Sequence, residues 1–209
     1  MLLTTVVQAV AADSIPSGFS CPLQWRLGVE TGSSWIPPTC PFLRGDNPLE
    51  KNVRASLSGN VRADFCFSPE SAEGMLFPGL YQGVGFGPTG FFASDLLGTP
   101  VSAFVYQGAP VVSVGNRLWL GYEWKFGAAF GWKHFGKNNV EHSGVVSTGE
   151  TAHMAVGLRL HYRLSPRVEL SFGVEASHFS NGNTSWPNAG VNSVGASVAV
   201  SYTNLTMPT

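Results

Sequence analysis

Apolar and polar residues alternate with period two through most of the second half of the chain. From Arg117 to Trp132 the even positions are Leu118, Leu120, Tyr122, Trp124, Phe126, Ala128, Phe130 and Trp132, against Arg117, Glu123, Lys125, Gly127 and Gly131. Met154, Val156, Leu158, Leu160, Tyr162 and Leu164 repeat the arrangement against Ala155, Gly157, Arg159, His161 and Arg163. Val168 to Ala176 sets its even residues against Glu169, Ser171, Gly173 and Glu175, and Val194 to Tyr202 alternates with Ser193, Gly195, Ser197 and Ser201. Earlier, Val53 to Phe67 and the shorter Leu23 to Glu30 follow the same rule. Side chains on a strand point alternately to opposite faces, so each segment has one apolar and one polar face.

The pattern predicts eight strands: Leu23–Gly32, Val53–Phe67, Gly79–Gly87, Val101–Val112, Arg117–Trp132, His153–Leu164, Arg167–Ser180 and Val191–Tyr202. The third and fourth have mixed parity, blurred by Gly and Pro. A soluble sandwich also alternates, with its apolar faces inward. Two features point instead to a membrane. The polar faces mix Arg, Glu and Lys with Gly and Ser, which suits a narrow interior filled by paired charges. The apolar faces carry aromatics toward strand ends, such as Trp132, Tyr162 and Tyr202, as interfacial girdles do.

Composition agrees. Only 12% of the 209 residues are charged, about half the soluble norm of roughly 25%. No run of about 18 or more apolar residues exists to form a spanning helix. A closed barrel is the other structure that satisfies every backbone polar group in lipid. The expected fold is therefore all-β, an eight-stranded antiparallel transmembrane β-barrel over residues 13–209, placed in a bacterial outer membrane. Leu164-Ser165-Pro166-Arg167 reads as a tight periplasmic turn. Ser33–Lys51, His134–Ala152 and Asn181–Gly190 then lie at the outer face. Arg159, His161, Arg163, Glu169, Glu175, Glu123 and Lys125 read as an interior ion network.

Residues 1–12 read as a short export signal lacking its positive start, with Ala9-Val10-Ala11 as a small-residue cleavage site. The alternative is an N-terminal strand or helix of the domain. Cys21, Cys40 and Cys66 allow a Cys40–Cys66 or a Cys21–Cys40 disulfide with one thiol left over. A net charge of −1 gives no reason to expect nucleic acid. Gly83 to Gly90 is glycine-rich but lacks the Lys-Ser/Thr ending of a phosphate loop. No histidine has metal-ligand spacing, and no cofactor is expected. Lys133, His134 and Lys137 fall near the outer rim, as anion contacts or as a solvated loop.

Chemistry concentrates where the seventh strand ends. Parity carries His178 and Ser180 after Val174 and Ala176 onto the lipid side, and Asn192 precedes Val194 and Ala196 there. If these strands pair antiparallel, the three residues meet near the outer interface. A polar group on that surface is costly unless it lies at the interface or has a purpose. Either the strand end has reached the headgroups, or a nucleophile and a base face a membrane lipid.

His178-Phe179-Ser180-Asn181, followed by Pro187-Asn188 and Gly190, closely resembles the signature of the lipid A 3-O-deacylase (PagL-like) family. Gly79-Leu80-Tyr81-Gln82-Gly83-Val84-Gly85 and the stretch from Tyr122 to Lys133 look like acyloxyacyl hydrolases of Bacteroidetes-type bacteria. The resemblance covers roughly Gly79 to Tyr202. It implies a serine esterase acting on an acyl ester of lipid A, with Ser180 as nucleophile and His178 as general base. Asn188 and Asn181 match positions linked to oxyanion stabilisation. One position departs: the family's triad enzymes carry a glutamate twelve residues after the serine, where this chain has Asn192. An asparagine can orient a histidine but brings no charge. Glu175 is no substitute, because its parity sends it into the lumen.

The expected partner is lipid A or lipopolysaccharide in the membrane, with room for a protein partner or a homo-oligomer. The alternative is a catalytically weak or inactive barrel serving as a structural or partner-binding subunit. A small-solute channel is the third class, opposed by the interior charge pairs.

Overall fold

The computed structural model describes residues 24–66, 75–134 and 144–204. Eight strands form a closed barrel: β1 Gln24–Trp35, β2 Ala55–Cys66, β3 Tyr81–Phe91, β4 Gly98–Val114, β5 Leu118–Trp132, β6 Glu150–Arg163, β7 Val168–Ser180 and β8 Val191–Asn204. Each pairs antiparallel with the next, and β8 closes on β1 from Trp25↔Asn204 to Trp35↔Val194. Closure removes the unpaired edge that lipid cannot satisfy. Among the described residues no helix is long and apolar enough to cross a membrane. The expected signal at 1–12, Cys21 and Lys137 lie outside the described residues.

The faces are inverted relative to a soluble protein. Val29 and Val156 are each 61% exposed on the outer wall, whereas Glu30 inside is 4% exposed. That contrast excludes a sandwich with an apolar centre. An eight-stranded barrel is just wide enough for side chains to fill, and here ion pairs do so. Glu30 meets Arg62 at 2.5 Å, Arg159 at 2.5 Å and Lys125 at 3.0 Å. Arg62 reaches Glu123 at 2.6 Å, and Arg26 bridges Asp64 at 2.5 Å and Glu169 at 3.3 Å. Glu175 also points inward, 2.8 Å from Lys125. Arg163 stands opposite Glu169 in the β6–β7 ladder, its guanidinium 5.6 Å from the Trp119 ring.

The glycine-rich stretch of β3 belongs to this packing. A Cβ on Gly85 would sit 2.4 Å from the Phe104 ring, and one on Gly83 would sit 2.7 Å from Tyr106. These glycines make room for two lumenal aromatics, which is why their strand was blurred in the sequence.

The connections after β1, β3, β5 and β7 lie at one end, the outer end, and the β2–β3 connection and the turns around Gly115 and Ser165 at the other. Ser165 Oγ accepts the Val168 N–H at 3.1 Å, fixing the tight turn read from sequence. Two features of the outer end stand apart from the strand pattern. The connections are not wholly polar: Ile36, Leu43, Val53, Leu97, Val145 and Val146 fold inward and pack with Phe179 and Val191 as an apolar plug. One turn of 3₁₀ helix (Phe42–Arg44) and one of α-helix (α1, Ser94–Leu97) carry part of it.

Trp132 is the second feature. It is buried rather than part of a girdle, donating from Nε1 to Thr151 Oγ1 at 3.0 Å. Gly131 has φ +91°, and the β4–β5 register shifts between Gly98 and Val101, so parity reverses before the ring. Tyr162 and Tyr202 do face outward. The Cys40–Cys66 disulfide is also excluded. Cys40 packs on the outer plug and Cys66 on an aromatic cluster at the inner end, at opposite ends of β2.

Candidate functional site

The site is built by the ends of β7 and β8 and the loop 181–190 between them. His178 and Asn192 stand directly opposite in the β7–β8 ladder. Their side chains meet: His178 Nδ1 and Asn192 Oδ1 are 2.7 Å apart. With a carbonyl oxygen facing it, Nδ1 is the protonated nitrogen, and Nε2 is left with its lone pair. Met154 of β6 stands on the other side of His178. Both polar side chains are half-buried on the lipid-facing wall, where strand parity had placed them.

Ser180 follows on the same side of β7, opposite Ala152, and is 9% exposed. Among the described residues its Oγ has one hydrogen bond, accepted from the Gly182 N–H at 3.3 Å. The hydroxyl proton is not committed there. Ser180 and His178 share a neighbour in Gly190, whose φ is +66°. A Cβ on Gly190 would lie 3.1 Å from His178 Cε1, 3.4 Å from Ser180 Cβ and 2.9 Å from the Phe179 carbonyl oxygen. Gly190 therefore lies over the gap between the two side chains, in a conformation an L-residue adopts at a cost. Gly190→Ala is expected to leave the barrel folded and to lower any Ser180-dependent turnover about tenfold or more, because His178 must move aside. Initial rates alongside gel mobility of unheated protein check this.

The two asparagines of the loop are not equivalent. Asn188 Oδ1 accepts the Asn181 N–H at 3.2 Å. Its Nδ2 is then the end left to donate to a ligand. Asn181 has no donor to spare: its N–H goes to Asn188, and its Nδ2 donates to Ser147 Oγ and to the Ser185 carbonyl, each at 2.9 Å. Of the two asparagines, Asn188 is therefore the one whose side-chain donor is uncommitted, while those of Asn181 are engaged within the loop. The signal for this lay outside the motif, in Ser147 on the β5–β6 connection.

The site is a patch on the wall rather than a cleft. An apolar groove of about 650 Å³ runs lower on the lipid face, past Val174 and Ala196, and is lined by none of these polar groups. Two aromatics missed by the sequence reading flank the patch. Trp35 faces lipid beside Val194, and Trp186 is 82% exposed on the loop before Pro187. Aromatics of this kind sit at the headgroup level. Lys133 and His134 lie on the outer rim, with Lys133 Nζ 3.2 Å from the Asp95 carbonyl. Among the described residues no group of His, Cys, Asp or Glu has the arrangement of a metal site.

The model of the family described as lipid A 3-O-deacylase (PagL) matches residues 119–201, which span most of β5 through β8 and the whole site. The crystal structure of the outer membrane enzyme PagL superposes with a TM-score of 0.55 at 14% identity, covering 82% of this chain and 97% of that one. The chain is an eight-stranded outer-membrane β-barrel whose segment 119–201 is similar to the PagL family. Neisserial surface protein A shares the fold of this barrel, with a TM-score of 0.53, 12% identity, and coverage of 85% of this chain and 96% of that one. At these identities both structures speak for the fold alone. No curated protein matches the chain in sequence.

Proposed function

We propose that this barrel is a serine esterase that removes an ester-linked acyl chain from lipid A at the outer leaflet. The observation that carries the reading is the His178–Asn192 pair, 2.7 Å apart, with Ser180 beside it on the lipid-facing wall at the outer end. The match to the deacylase family over the same segment supports it.

In this mechanism the lipid's ester reaches Ser180 laterally, without leaving the membrane. Ser180 Oγ attacks the acyl carbonyl carbon as His178 Nε2 takes the hydroxyl proton. The carbonyl oxygen becomes an oxyanion, which Asn188 Nδ2 meets as donor. Collapse of the tetrahedral species breaks the bond to the sugar oxygen, and His178 returns the proton to that leaving hydroxyl. A water then attacks the acyl-serine with His178 again as base, releasing the fatty acid and regenerating Ser180. Asn192 fixes the tautomer and the ring plane throughout.

Asn192 sets the expected rate. A carboxylate at this place stabilises the imidazolium that forms in the transition state, and an amide does not. Replacing a triad carboxylate by its amide costs about 10⁴ in another fold. Asn192→Asp keeps the oxygen in place and adds the charge. It is expected to raise kcat by roughly tenfold or more with KM little changed, since the charge acts on the transition state.

A second reading, a barrel that binds or scaffolds without catalysis, draws on the same Asn192 and on the absence of a direct Ser180–His178 hydrogen bond. Purified barrel refolded in detergent and mixed with lipid A separates the two. The esterase reading expects one fatty acid released per lipid A, measured by gas chromatography with mass detection. Equal fatty acid with and without folded barrel, for wild type and Asn192→Asp alike, contradicts it.

A further inference from the structure

We propose that Ser147, on the connection between β5 and β6, is a positioning residue that sets the oxyanion donor Asn188 through Asn181. The inference rests on the esterase reading above. Ser147 touches no reacting atom in that scheme.

The chain of contacts is continuous. Ser147 Oγ accepts from Asn181 Nδ2 at 2.9 Å, and the Asn181 N–H donates to Asn188 Oδ1 at 3.2 Å. An amide is planar, so fixing Asn188 Oδ1 fixes the direction in which Nδ2 presents its hydrogens. Asn181 can act as the hinge because its other groups are also committed. Its Oδ1 accepts the Asn183 N–H at 2.9 Å, and its carbonyl accepts Thr184 Oγ1 at 2.9 Å.

What makes Ser147 a fixed point is its neighbours. Val145 and Val146 are fully buried in the outer plug, together with Phe179 and Val191 of the two strands that carry the site. The Val145 carbonyl also accepts the Gly190 N–H at 3.2 Å. The β5–β6 connection is therefore docked against the site loop by packing on one side of Ser147 and by a backbone hydrogen bond. A preorganised donor stabilises an oxyanion without reorganising when charge develops. Loosening Ser147 leaves Asn188 in place but lets its amide rotate.

Two readouts on the full chain test this. In lipid A hydrolysis, Ser147→Ala is expected to lower kcat roughly five- to tenfold, the scale of one hydrogen bond, with KM unchanged, and Ser147→Thr to retain the rate. Combined with Asn188→Ala, Ser147→Ala should add no further loss. Independently of activity, ¹⁵N-asparagine-labelled barrel in micelles should show the Asn188 side-chain amide shifted and broadened in Ser147→Ala and unchanged in Ser147→Thr. An unaltered Asn188 amide in Ser147→Ala overturns the proposal, as does a loss that multiplies with Asn188→Ala. A wild type that releases no acyl chain overturns the esterase reading and the catalytic half of this one. The amide spectra then still decide whether Ser147 places Asn188.

Discussion

Replacing Ser180 with alanine is expected to lower acyl release from lipid A by roughly three orders of magnitude or more, to the uncatalysed level. The effect is large because no neighbouring hydroxyl can take over. Ser177 is on the lumenal face, 2.7 Å from Ser193 Oγ. Thr184 is bound to the Asn181 carbonyl, and Ser147 Oγ accepts from the Asn181 side chain. The fold should survive, since the substitution removes one long hydrogen bond from Gly182 at 3.3 Å. Such a bond contributes about 1 kcal/mol or less. Rates are measured on protein whose gel mobility without heating matches wild type. His178→Ala should fall as far, because a serine hydroxyl without a base is a poor nucleophile. Residual turnover in Ser180→Ala near the wild-type rate would remove Ser180 from the mechanism.

The largest effect on stability is expected from Glu30→Leu. The Glu30 carboxylate receives Arg62, Arg159 and Lys125 in the middle of the barrel, and Asn60 Nδ2 donates to it at 3.2 Å. Leucine leaves these cations in a buried space with less negative charge to face. Breaking a buried pair by removing one partner costs about 3–5 kcal/mol, mostly from the charge left uncompensated. Each of the three cations keeps a second carboxylate, Arg62 and Arg159 at Glu123 and Lys125 at Glu175, which places the change at the lower part of that range. The urea midpoint of unfolding from lipid vesicles should fall accordingly. Glu30→Gln, which keeps an oxygen and the shape, should lose less. The same network packs the lumen at mid-height, below the apolar plug at the outer mouth.

Strands β5 to β8 were legible in the sequence because both faces of each obey one parity. That parity also put His178, Ser180 and Asn192 on the lipid side, and the ladder brings His178 and Asn192 together. Trp132 escaped because the positive torsion at Gly131 and the shifted β4–β5 register turn this one ring inward at the strand's end, and alternation carries no sign of it. The plug escaped for another reason. Ile36, Leu43, Leu97 and Val145 sit in aperiodic connections, where a lone apolar residue between polar ones has no predicted partner.

The surroundings of Asn181 show what a motif does not carry. Its position beside Ser180 suggested an oxyanion donor. Its donors are committed through Ser147, a residue 34 positions earlier. Which hydrogen bonds an amide makes is a tertiary fact. The substitution at Asn192, by contrast, was fully legible, and it fixes the expected direction of the Asn192→Asp result.

The central claim is that Ser180 attacks an acyl ester of lipid A from the lipid-facing wall. The most direct measurement is the mass spectrum of lipid A from cells carrying the barrel in their outer membrane, beside cells carrying Ser180→Ala. The account predicts lipid A lighter by one ester-linked acyl chain with wild type, and intact lipid A with Ser180→Ala. Intact lipid A in both, with both barrels folded in the membrane, would contradict it.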